Sequence, residues 1–222
     1  MPLNIKPSSG SGSITIAATT GTTTNDTLTL PAATDTITCN AATQTLTNKT
    51  LTSPTIGGTP TLNSSLITSS GTVATTSGTS VTVTGIPSWA KRVTITCNGV
   101  TKSAGGLAII QIGSGSLTTT GYVSYGYYTN LSSSQSNTNG FFFQTGTPST
   151  GDVIFGTATL INVGSNTWVY NSSTGLLAGG ASPFNLLGVG NLALSGALDR
   201  ISLTTVTGTP TFTGGSMIVF YE

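Results

Sequence analysis

Histidine is absent from this 222-residue chain, and charge of either sign is scarce: five Asp plus Glu, six Lys plus Arg, a formal net charge of +1 and 5% charged residues overall. Ordinary soluble domains carry about 25%. Each shortage excludes a class of function. No basic surface exists to neutralise nucleic-acid phosphates, and no polybasic patch to hold anionic lipid. Without histidine, and with Asp26, Asp35, Asp152, Asp199 and Glu222 scattered along the chain, paired-carboxylate or histidine-assisted proton transfer has no visible seat. No glycine-rich phosphate loop of the strand-turn-helix kind is present. The expectation is a protein that is not an enzyme and takes no cofactor. Two cysteines cannot furnish the four ligands of a usual zinc site, so no metal is expected either. Cys39 and Cys97 each close a Thr/Ile run and read as small apolar strand residues, with a disulfide between them left open. No window reaches the ~18 apolar residues of a membrane-spanning helix, so membrane insertion is not expected. The opening Met1–Pro7 is followed by glycines and serines and lacks the apolar stretch of a secretory signal.

What the chain does contain is threonine (47), serine (28) and glycine (29). Threonine is β-branched and suits strands, while the helix formers Glu, Lys, Arg and Met are nearly missing. A positive mean hydropathy of +0.22 and 36% hydrophobic residues argue against simple disorder. The composition points to an all-β protein. So little charge also gives little colloidal repulsion, which suits life inside an assembly.

The chain divides by composition. Residues 1–74 contain no Phe, Tyr or Trp. They read as short strands, among them Thr27-Leu28-Thr29-Leu30, followed by a local repeat in which Leu46, Leu51 and Ile56 recur every five residues. One copy cannot bury Leu28, Leu30, Leu46 and Leu51 or pair all of its strand edges. Intertwined copies can, so these leucines are candidates for subunit contact in an N-terminal shaft or anchoring segment; a loose linker is the other reading. Residues 75–222 hold every aromatic residue and eight to ten short strands separated by turns. They predict a jelly-roll-like antiparallel β-sandwich, a head domain after the fibrous segment. Ser132–Gly140 reads as a polar loop and Gly208–Gly215 as a hairpin-like loop.

Several stretches carry a family resemblance. Gly85-Ile86-Pro87-Ser88-Trp89-Ala90-Lys91-Arg92-Val93-Thr94 is the most specific; Asn166-Thr167-Trp168-Val169, Leu194-Ser195-Gly196-Ala197-Leu198-Asp199-Arg200-Ile201 and the closing Gly215–Glu222 accompany it. Upstream, Thr43-Gln44-Thr45-Leu46-Thr47-Asn48-Lys49-Thr50-Leu51-Thr52-Ser53-Pro54 matches a common linker. Together they resemble phage and prophage tail-fibre proteins with a small C-terminal β-sandwich domain. The resemblance implies a virion structural protein at the tail or capsid surface, a homotrimer, joined to another virion protein through its N-terminal segment and presenting its head to a host-cell-surface glycan or protein. A capsid decoration or connector protein is the alternative, and a secreted carbohydrate-binding module or adhesin a more distant one.

Within the head, Pro87 fixes a turn, and Trp89 reads as a cap on one end of the sandwich or as a sugar-stacking platform. Lys91 or Arg92 can pair with Asp199, and Asp199 next to Arg200 reads as a salt bridge at a strand start. Tyr122, Tyr125, Tyr127, Tyr128 and Trp168 are candidates for receptor binding, since tyrosine offers rigid area plus a hydroxyl. Trimer packing and ordinary core remain open for the tyrosines. Strict alternation puts Tyr125 and Tyr127 on one face and Tyr128 on the other. Phe141, Phe142 and Phe143 put bulk on both faces of one strand, so one face is expected to meet a neighbouring chain.

Overall fold

The computed structural model describes residues 67–128, 133–144, 149–177 and 184–222, together with Thr50, Thr52, Ser53 and Thr55. Leu28, Leu30, Leu46 and Leu51 lie outside the described residues. By internal contacts the chain divides between Pro60 and Thr61.

The described residues are all-β and hold fourteen strands. In chain order these are β1 (Thr68–Ser69), β2 (Val73–Ala74), β3 (Ser80–Thr84), β4 (Arg92–Lys102), β5 (Ala108–Ser114), β6 (Ser116–Leu117) and β7 (Val123–Tyr128). They continue with β8 (Ser133–Asn137), β9 (Phe141–Phe142), β10 (Val153–Gly164), β11 (Thr167–Leu177), β12 (Phe184–Ala193), β13 (Arg200–Thr205) and β14 (Phe212–Tyr221). Every pairing is antiparallel. A nine-stranded sheet runs β1-β14-β4-β10-β11-β12-β7-β8 with β2 also on β14; a five-stranded sheet runs β3-β13-β5-β6 with β9 also on β5. The two pack as a sandwich.

Alternation in the sequence builds the core. In β11, every second residue from Trp168 to Leu176 is buried, and in β4, Val93, Ile95, Cys97, Val100 and Lys102 are. These meet Ala108, Ile110 and Ile112 of β5 and Ile201 and Leu203 of β13 from the smaller sheet. The β10–β11 hairpin turns at Ser165 and Asn166, both at positive φ (48° and 56°), the backbone that a tight two-residue hairpin turn demands. Strands β1 and β2 lie before the expected head boundary at residue 75, yet both pair with β14: Thr68 with Tyr221, Ser69 with Phe220, Val73 with Met217 and Ala74 with Ser216. Two segments read differently in the sequence. Ser133–Asn137 is not loop but an edge strand on β7, and the last strand begins at Phe212, inside the supposed hairpin loop.

The phenylalanine run corrects the subunit-contact expectation. Phe141, Phe142 and Phe143 are all buried within one chain. Strand β9 pairs with β5 and is tucked between the sheets, against β7 and β12, so protein flanks it on both sides. Room for it comes from Gly188 and Gly190 on the inner face of β12. A Cβ at Gly188 would lie 2.5 Å from the Phe142 carbonyl oxygen, and one at Gly190 2.8 Å from Phe141 Cδ1. Side chains of the large sheet satisfy the polar backbone thus enclosed. The Tyr170 hydroxyl (2.9 Å) and Ser172 hydroxyl (3.2 Å) donate to the Phe142 carbonyl, Thr174 donates to that of Phe143 (2.9 Å), and the Phe142 N–H donates to Ser124 Oγ (3.0 Å). Phe141 stacks on Tyr170 with 4.5 Å between centroids and meets Tyr122 edge-on at 4.8 Å.

Candidate interaction face

Among the described residues, ten of the twelve exposed large hydrophobic side chains lie on one surface, the outer face of β7, β12, β11 and β10. The pairing registers fix their grid. One row runs Val123, Asn191, Val169, Ile161; the next Tyr125, Val189, Asn171, Thr159; the next Tyr127, Leu187, Ser173, Thr157. Val163 extends the first row's end toward the hairpin turn, and Phe155 and Leu177 lie at the opposite end. The ten side chains are 41–61% exposed. At about 70 Å² each they leave on the order of 700 Å² of apolar surface open over the face as a whole, divided by its polar middle and close to one partner's share of a standard interface.

Electrostatics mark the same surface. The four strands contain no Asp, Glu, Lys or Arg in their 39 residues. Charge begins one strand away, where Arg92 of β4 stands opposite Ile161 and pairs with Glu222. The middle of the face is polar but neutral. Thr157, Thr159, Asn171 and Ser173 floor a depression of about 390 Å³ rimmed by Leu187 and Val189. A neutral amide and three hydroxyls among aliphatic walls can hydrogen-bond a partner without a desolvated charge.

The residues singled out in the sequence separate clearly. Tyr125 and Tyr127 are on this face and exposed, as alternation requires. Tyr128 pairs with Leu186 and Ser133 through its backbone; its side chain lies outside the described residues. Tyr122 is no receptor contact: it is buried, its hydroxyl accepting from the Ile112 N–H (2.8 Å) and donating toward the Thr118 carbonyl (2.9 Å). Burial pushes its phenol well above the ordinary range, with the Ile112 hydrogen bond partly opposing. Trp168 is also core, because it falls on the inward phase of β11, and its Nε1 has no partner. Trp89 is exposed and lies 6.0 Å from the Tyr221 ring. Asp199 does not bind Lys91 or Arg92. It pairs with Arg200 and accepts the Gly115 N–H, and the Arg200 hydrogen bond leads in holding its carboxyl below the usual range. Cys97 is a free, buried thiol.

Sequence reading missed Val123, Leu187, Val189, Phe155, Val163 and Leu177 as surface residues. The available signal was a paired one: apolar residues on both phases of β10, and four long strands without charge. Among the described residues no three His, Cys, Asp or Glu side chains gather into a metal-sized cluster, and no helix is long and apolar enough to cross a membrane. No protein-family model, curated protein or solved structure matches the chain.

Proposed function

We propose that this protein is a structural component of a phage fibre, a homotrimer whose sandwich head works by surface contact rather than catalysis. The observation that carries the reading is the uncharged outer face of β7, β12, β11 and β10. Exposed apolar surface of this size is costly in water and is characteristically covered by a partner. A second copy of the same chain fits it best: a partner equally short of charge leaves no ion unpaired at the contact. The resemblance of the Gly85–Thr94 and Leu194–Ile201 segments to tail-fibre heads supplies the virion setting, and an N-terminal segment joined to another virion protein follows from the same resemblance.

A host-surface ligand is the second reading, favoured by the neutral hydroxyl- and amide-lined depression beside Tyr125 and Tyr127. One substitution separates the two. Val189→Glu places a carboxylate on the exposed centre of the face, where it costs the fold within about 0.5 kcal/mol. Light scattering of the full chain is expected to show a trimer, and the variant to dissociate at least tenfold more readily. A wild-type monomer overturns self-association through this face. A trimer indifferent to Val189→Glu, with loss of binding to host cells, moves the face to the host. Mass spectrometry of purified particles tests the virion assignment separately; absence of the chain from them refutes it.

A further inference from the structure

Three polar side chains meet inside the sandwich, away from the outer face. Lys102, at the end of β4, is 2% exposed; Gln144, just after β9, is 0%; Asp152, just before β10, is 2%. Lys102 Nζ donates to the Gly106 carbonyl (2.5 Å) and to Gln144 Oε1. The same Oε1 accepts the Ala108 N–H at 3.4 Å. On the other side of the amide, Gln144 Nε2 donates to Asp152 Oδ2 at 3.4 Å. Asp152 Oδ2 also accepts the Ser149 N–H (2.7 Å), while its Oδ1 is buried with no partner.

These are the parts of an acyl transfer: an amine against a carboxamide, a backbone N–H on the carbonyl oxygen, and a carboxyl on the nitrogen that would leave. We propose that Lys102 and Gln144 join in an intramolecular amide cross-link, with Asp152 carrying the proton. Lys102 Nζ, as the neutral amine, adds to Gln144 Cδ. The Cδ–Nε2 bond breaks, one C–N bond replaces another, and the proton Nζ loses reaches the departing nitrogen through Asp152. Ammonia is released; nothing is oxidised or reduced. The enclosure supplies what an amide in water lacks. Fixed neighbours replace a bimolecular encounter. The Ala108 N–H is placed to stabilise charge on the carbonyl oxygen. Exclusion of water keeps the product from hydrolysis. Burial also lowers the Lys102 pKa to about 8 against a smaller opposing pull from Asp152, so about a tenth of the amine is neutral at pH 7.

The placement gives the bond a purpose. Lys102 belongs to the nine-stranded sheet, while the Gln144 N–H bonds to the Ala108 carbonyl of the five-stranded sheet (2.9 Å). The amide would tie the sheets together covalently in a head whose one described cysteine is free. This inference does not depend on the fibre reading.

Intact-mass spectrometry of the purified full chain, held for a day at pH 8, tests it. The expected mass is about 17 Da below that of the sequence, the mass of one ammonia. Digestion with trypsin plus chymotrypsin is expected to yield a branched peptide joining Lys102 to Gln144. Gln144→Ala is expected to restore the full sequence mass, and Asp152→Asn to slow the loss at least tenfold. An unshifted wild-type mass, a loss mapped to any other residue, or a deficit that survives Gln144→Ala overturns the proposal.

Discussion

Burial raises the proton affinity of three acids in the sandwich. Desolvation lifts the Cys97 thiol from 9.0 to about 12 and pushes the Tyr122 and Tyr170 phenols upward from 10.0, each phenol partly relieved by a hydrogen bond. An acid whose folded pKa exceeds its unfolded value stabilises the fold below the unfolded pKa, and that stability drains away as pH climbs toward the folded one. Lys102 has the opposite sign. As a free amine it would add stability as pH rises between about 8 and 10.5, and as an amide it adds none. Above about pH 10.5, among the described residues, the three acids are the shifted groups that still lose stability, so the urea midpoint is expected to fall steadily between about pH 10.5 and 11.5. A midpoint flat or rising over that interval would show that these groups are not enclosed as described. The same burial predicts that Cys97 reacts with thiol reagents only on unfolding.

At the scale of the element, β1 and β2 close the β14 side of the large sheet, and Thr75 anchors them. Thr75 is 0% exposed, its N–H donates to the Gly215 carbonyl (3.0 Å) and its hydroxyl to that of Gly214 (2.7 Å). A chain starting at Ser77 loses these bonds and uncovers an edge of β14, at about 2–4 kcal/mol. Against a chain starting at Thr61, its melting temperature is expected to drop by roughly 5–10 °C; equal values would show that the head begins later. Strands with apolar alternation, β3, β4, β11 and β13 among them, and the apolar run of β5 were legible in the sequence. Strand β8 was not, because Ser-Ser-Gln-Ser-Asn has no apolar phase and is held by pairing with β7, a tertiary fact. Strand β12 escaped for a subtler reason. Between the buried Leu186 and Leu192 its inward phase carries Gly188 and Gly190 to seat β9, while its outward phase carries Leu187 and Val189, so its hydrophobic pattern is inverted over the middle of the strand. The candidate face was half legible: alternation alone puts Val123, Tyr125 and Tyr127 together, but only the registers bring Leu187, Val189, Val169 and Ile161 beside them.

For the molecule as a whole, the sandwich is lopsided. The smaller sheet buries nearly all of β13, from Ile201 to Thr205, whereas the larger leaves its outer side half uncovered. Apolar residues therefore sit in two populations, one locked between the sheets and one turned to the surroundings. The two tryptophans sample both: Trp168 is 1% exposed and Trp89 54%. Nature has thus installed a pair of optical probes with opposite surroundings. Trp168 emission is expected at short wavelength and beyond the reach of acrylamide, Trp89 emission at long wavelength and readily quenched. In Trp89→Phe the remaining light reports the interior alone, so its red shift follows separation of the sheets, while quenching of Trp89 in the parent chain reads out whatever covers that end. Full quenching of Trp89→Phe by acrylamide in the native state would contradict the enclosure of Trp168.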